Sequence, residues 1–121
     1  MLDESPQSGR PLRPNELALL AVLLGQANET GERLRAGLVE DMADGGMGGV
    51  RFLSRPGVQR LFGRRAAEAK YVDADGVSVV ISLNLDEQGD LFELDFWKSD
   101  FSPLRSYPDP AQLVSLTPCE R

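Results

Sequence analysis

From Ala67 to Phe96 the chain alternates at a period of two with two interruptions, and this alternation limits what it can fold into more than any other feature. Ala67, Ala69 and Tyr71 interleave with Glu68, Lys70 and Val72. Asp73-Ala74-Asp75-Gly76 then reads as a turn. Val77, Val79, Ile81, Leu83 and Leu85 follow, interleaved with Ser78, Val80, Ser82, Asn84 and Asp86. A type I turn with Gly76 in the left-handed position makes a three-residue loop and sets Tyr71 opposite Val79, Ala69 opposite Ile81 and Ala67 opposite Leu83, leaving one face wholly apolar. For the next hairpin a four-residue loop, Glu87 to Asp90, sets Leu85 opposite Phe92, Leu83 opposite Leu94 and Ile81 opposite Phe96. A three-residue loop would instead bring Asn84 against Phe92.

Upstream, Pro14 suits a first helical position and Glu16 the first turn, so the Leu-rich block predicts a helix from Pro14 to Ala27. Being apolar all round from Leu17 to Leu24, it is expected to be largely buried. Residues 1–12 read as a flexible lead-in and 13–121 as a single domain. A short amphipathic turn is expected around Glu32 to Ala36. The glycines of GGMGG, Gly45 to Gly49, predict a turn joining strands at Leu38 to Ala43 and Val50 to Leu53. An anion nest there is disfavoured by Glu40, Asp41 and Asp44. Near the end, Asp109-Pro110-Ala111-Gln112 is a capping-box start for a short helix through Ser115. The fold class that results is α+β: an antiparallel meander sheet covered on one face by the N-terminal helix.

The same register fixes the other face. Its rows read Lys70, Val80, Trp97, then Glu68, Ser82, Asp95, then Ala66, Asn84, Glu93, which places Glu68, Glu93 and Asp95 within about 7 to 10 Å of one another. Glu68, Ser82, Asn84, Glu93, Asp95 and Trp97 are therefore the candidate binding residues, with the tryptophan as anchor and the carboxylates as specificity and steering groups. Glu68, Glu93 and Asp95 also resemble an acid/base pair in their spacing, so a carboxylate- or metal-dependent hydrolase is the alternative. The loops at Asp73 to Gly76 and Asp86 to Asp90 have the look of oxygen-ligand loops. Neither continues into a 12-residue calcium pattern, and turn chemistry alone explains them, so no metal or other cofactor is expected.

Composition narrows the classes of function. With 13 basic and 19 acidic side chains the formal charge is -6, which argues against nucleic acid and toward a partner protein with a basic surface. The absence of histidine removes the commonest general base and metal ligand. A single cysteine, Cys119, allows no intrachain disulfide and points to a reducing, cytoplasmic setting. The longest apolar run, Leu17 to Leu24, is far short of the roughly 20 residues a membrane helix needs, so no membrane association is expected. Charge is also unevenly spread. Arg51, Arg55, Arg60, Arg64, Arg65 and Lys70 precede a stretch dominated by Asp73, Asp75, Asp86, Glu87, Asp90, Glu93, Asp95 and Asp100, an arrangement that also suits head-to-tail association of copies.

The strings VEDMADGGMGGVRF, Val39 to Phe52, and DADGVSVVISLNLDEQGDLFELDFWKSDFSPL, Asp73 to Leu104, resemble an uncharacterised family of small bacterial proteins classified as a domain of unknown function. That resemblance starts near Arg10 and spans most of the chain, and it implies no catalytic residue. In style, though in no motif, the chain is also similar to the small acidic α+β immunity partners of bacterial toxins.

Overall fold

The alternation becomes an antiparallel sheet in the computed structural model, which describes residues 9–26, 38–53 and 59–118. Its strands are β1 (Arg10–Pro11), β2 (Leu38–Asp41), β3 (Val50–Phe52), β4 (Phe62–Val72), β5 (Ser78–Asp86), β6 (Leu91–Lys98) and β7 (Ser115–Pro118), and α1 (Pro14–Gln26) follows β1. The strand order is β1-β2-β3-β6-β5-β4-β7. The class is α+β, as expected, but the meander is only the centre of the sheet: β4, β5 and β6 are consecutive, while β3 joins the outer edge of β6 and β7 the outer edge of β4. Arg10 and Pro11, at the end of the expected lead-in, pair with Val39 and Leu38.

The first hairpin has the register the alternation predicts, with Tyr71 opposite Val79, Ala69 opposite Ile81 and Ala67 opposite Leu83. Asp73 N-H donates to Val77 O, and Gly76, at φ 84°, closes the turn onto Asp73 O. The second hairpin departs from expectation. Its loop has three residues, Glu87 to Gly89, closed by Asp86 N-H to Asp90 O at 2.8 Å with Gly89 at φ 86°. Leu85 therefore faces Leu91, and Phe92 is an extra residue that restores Asn84 to Glu93, Leu83 to Leu94 and Ile81 to Phe96. Phe92 is only partly buried, and Leu91 takes the core place assigned to it.

Strand β4 also carries two irregularities, at Gly63 and Ala66. The bulge at Ala66 puts Arg65, not Ala66, opposite Asn84, and turns Ala66 into the core beside Ala67. At Gly63 the backbone approaches the Asp86 carbonyl so closely that no Cβ fits.

One apolar cluster holds these elements together. Leu83, Ile81, Leu94, Phe96, Val79, Tyr71, Ala67 and Ala69 are out of solvent, joined by Val39, Val50 and Phe52 from β2 and β3. From α1 only Leu19, Leu20, Leu23 and Leu24 enter this cluster. Leu17, Ala18 and Ala21 stay exposed, so the helix is half wet rather than buried all round: one apolar stripe is all that a helix against a single surface can hide. Ala27 and the turn expected at Glu32 to Ala36 lie outside the described residues. At the other end the capping box at Asp109 is present, with Asp109 accepting from Ala111 N-H and Gln112 accepting from Asp109 N-H, yet the helix is a single 3-10 turn, Pro110–Gln112, because Ser115 enters β7.

Candidate functional site

The acidic face is built by β4, β5 and β6. Two of its rows stand as the alternation places them: Lys70, Val80, Trp97 and Glu68, Ser82, Asp95. The third is Arg65, Asn84, Glu93, shifted by the bulge at Ala66. All six candidate residues are thus brought onto one face, but their surroundings differ from a bare carboxylate patch. Glu68 pairs with Arg65 at 3.3 Å, and Glu93 pairs with Arg51 at 3.0 Å because Arg51 of β3 lies directly across from it. Asn84 is buried and donates to Glu93 at 3.4 Å. Ser82 is half-buried in the middle of the rows.

Asp95 stands apart. Among the described residues it has no cation within ion-pair distance, and it is half-buried. Burial raises its carboxyl above the ordinary value, and the nearby charges of Glu93 and Asp44 add to the rise, with Arg65 opposing. Two residues along the strand, Trp97 is half exposed and makes an edge-on contact with Phe101, ring centres 6.1 Å apart. Phe101 closes the turn that begins at Lys98, at φ 63°, a left-handed conformation that phenylalanine rarely adopts, and it is 64% exposed.

The two loops with an oxygen-ligand look have their carboxylates committed elsewhere. Lys98 Nζ, with no solvent exposure, donates to Asp73 at 2.8 Å, Asp75 at 2.6 Å and Pro103 O at 2.9 Å, which satisfies all three of its N-H groups. Asp73 also accepts from the backbone of Ala74, Arg105 and Ser106. Burial pushes Asp73 up, but Lys98 and these N-H groups outweigh it and hold the carboxyl below its usual range. In the second loop Asp86 accepts from Gln88 N-H, Asp90 N-H and Arg60 Nε at 2.9 Å, while the Arg60 guanidinium lies over the Phe92 ring and also donates to Phe52 O and Leu91 O. No group of three or more acidic or cysteine side chains is placed to hold a metal among the described residues.

The glycine loop is likewise turned inward. Asp44 accepts from Met47 N-H at 3.0 Å and Gly49 N-H at 2.9 Å, so the chain's own carboxylate fills the would-be anion nest. Gly46 O accepts from Leu104 N-H and Met47 Sδ from Lys98 N-H. The two distinctive strings of the sequence therefore meet in space, and what they build there is a joint between loop, strand and tail. A shallow depression lined by Phe62, Gly63, Arg64 and the Asp86 to Gly89 turn lies past the third row and includes none of the six candidates.

Several of these participants escape a reading of local pattern. Arg51 arrives through a long-range strand pairing and Arg65 through a bulge. Lys98 did carry a signal: it shares the parity of Leu94 and Phe96, and a lysine on a core face needs a buried carboxylate.

A family model described as Domain of unknown function (DUF6984) matches residues 9–108, which includes both strings. No curated protein matches the chain, and no solved structure does.

Proposed function

Since the chain belongs to this family of unknown function, we propose, from its geometry and charge, that it is a non-enzymatic protein-binding module. It docks a protein with a basic surface through the face bearing Glu68, Ser82, Asn84, Glu93, Asp95 and Trp97. The opposite face of the sheet is the one α1 covers, and the module acts in the cytoplasm. Inhibition of a basic toxin by an immunity-like partner is the narrower form of the same reading.

The observation that carries the proposal is the pair of Trp97 and Phe101. Two large aromatics held in solvent, one of them at a left-handed φ, have no role in the core. Exposed aromatics of this kind are the usual anchors of an interface. The carboxylates beside them favour a cationic partner and speed its approach. The alternative, a hydrolase built on Glu68, Glu93 and Asp95, draws on one observation, the raised Asp95 carboxyl. Against it, Glu68 and Glu93 are each engaged with an arginine.

The test uses Asp95→Lys plus Trp97→Ala, since among the described residues neither has an ion pair to lose. The variant is expected to keep the parent's thermal unfolding transition and to lose a salt-sensitive partner that the parent retains in pull-downs from its native host. The same partners on both baits, held with the same salt sensitivity, overturn the proposal.

A further inference from the structure

Of the three carboxylates on the acidic face, two have an arginine of the same chain in contact and the third, among the described residues, has none. Arg51 meets Glu93 and Arg65 meets Glu68. Asp95 lies in the row of Glu68, across Ser82, and one row from Glu93, and it faces the charges of Glu93 and Asp44. Beside it on the same strand face, about 7 Å along the pleat, is the half-exposed ring of Trp97. Lys70 is the cation in the tryptophan's row, but Val80 stands between them.

The chain contains a filled version of this arrangement. At the β5–β6 turn the Arg60 guanidinium lies 5.2 Å above the centre of the Phe92 ring and donates to Asp86 at 2.9 Å. Ring, carboxylate and guanidinium form one unit there. On the acidic face ring and carboxylate are present and, among the described residues, the guanidinium is not.

Resting on the docking reading above, we infer that Trp97 and Asp95 together are a receptor for a guanidinium: an arginine in a basic segment of the partner stacks on Trp97 and donates to Asp95. The planar, weakly hydrated guanidinium suits both halves of this site, stacking on the ring while forking onto the carboxylate. A lysine ammonium, compact and strongly hydrated, satisfies only the carboxylate. Phe101 extends the platform and holds the edge of the indole. The incoming charge also offsets the repulsion that Glu93 and Asp44 exert on Asp95, which Arg65 opposes only in part.

Trp97 is the only tryptophan, so its fluorescence reports on this site alone. Titration of the whole chain with a blocked hexa-arginine peptide is expected to shift the emission saturably, with binding about three- to fivefold tighter than for hexalysine. Asp95→Asn should weaken hexa-arginine binding several-fold, and Asp95→Ser, read beside it, should do the same. Glu87→Gln, which removes equal charge from the far turn, should leave it intact. Equal affinity for the two peptides, hexa-arginine binding as tight in both Asp95 variants as in the parent, or no response of Trp97 to either peptide overturns the inference. None of these outcomes decides the docking reading, which the pull-down comparison tests separately.

Discussion

Lys98 Nζ lies 2.8 Å from Asp73 Oδ2, and neither side chain touches solvent. The pair joins the end of β6 to the first turn of the meander and, through Pro103 O and the N-H groups of Arg105 and Ser106, to the tail; Tyr71 adds a hydrogen bond to Ser106 O at 2.7 Å. Removing Lys98 leaves Asp73 buried with no cation among the described residues, and removing Asp73 leaves Lys98 buried with Asp75 as its remaining carboxylate, so either loss costs more than the pair contributes. Lys98→Met is expected to destabilise the fold far more than Lys70→Met at the exposed surface. Lys98→Met combined with Asp73→Asn should cost less than the two single losses added together. Urea unfolding of the parent and the four variants checks this, and strict additivity would contradict the pairing.

Acid should unfold the protein through its buried carboxylates. Glu16, held by Arg10 and Arg13, and Asp73 and Asp86 are all below their ordinary values, even though burial by itself pushes each of them up. A carboxylate with a depressed folded value contributes stability that is complete above its unfolded value, 3.8 for the two aspartates, and is lost as the pH falls through the folded one. The melting temperature should hold as the pH is lowered from neutrality to about 5 and fall steeply below about 4. A melting temperature unchanged at about pH 2 would mean that folding does not depress the values of these groups.

Leu83 sits at the middle of the central strand, fully buried, between Ala67 and Leu94. With neighbours on both flanking strands the site cannot collapse around a smaller side chain, and Leu83→Ala is expected to cost about 2 to 5 kcal/mol in chemical unfolding. A loss below about 1 kcal/mol would place Leu83 outside the core.

Two glycines are required for different reasons and should respond differently. Gly76 has open space around its Cα but a φ of 84°, so Asn, which tolerates the left-handed region, should be accepted far better than Val. At Gly63 any Cβ meets the Asp86 carbonyl, so Gly63→Ala should already disrupt the start of the β4–β5 pairing. Thermal melts of Gly76→Asn and Gly63→Ala side by side give the comparison; an alanine tolerated at position 63 would contradict the close approach.

How far the sequence could be read depended on whether the information was local. The pairing of Tyr71 with Val79 follows from alternation and one turn glycine, and it is correct to the residue. The second hairpin shows where that reasoning stops. A four-residue loop and a three-residue loop followed by a bulge give identical pairing from Asn84 and Glu93 onward, so alternation cannot distinguish them. The cost of choosing wrongly falls on Phe92 and Leu91 alone. The bulge at Ala66 is hidden in the same way, because an alanine satisfies either face, and it moved Arg65 into the acidic rows. Arg51 could not be placed at all: its partner Glu93 is 42 residues away, and no periodicity within either segment encodes their meeting.

The order of strands has a kinetic consequence. The meander β4-β5-β6 closes through two three-residue loops, so its ordering costs little chain entropy, whereas β3 can join β6 only after a far longer segment is closed. Folding is therefore expected to start in the C-terminal half, with Ile81 and Leu83 already packed in the transition state and Val50 docking afterwards. Truncating Leu83 should slow folding, while Val50→Ala should mainly speed unfolding. In a growing chain made from the N-terminus, β2 and β3 emerge before the surface that receives them, and Val39, Val50 and Phe52 must wait in water until the meander has left the ribosome.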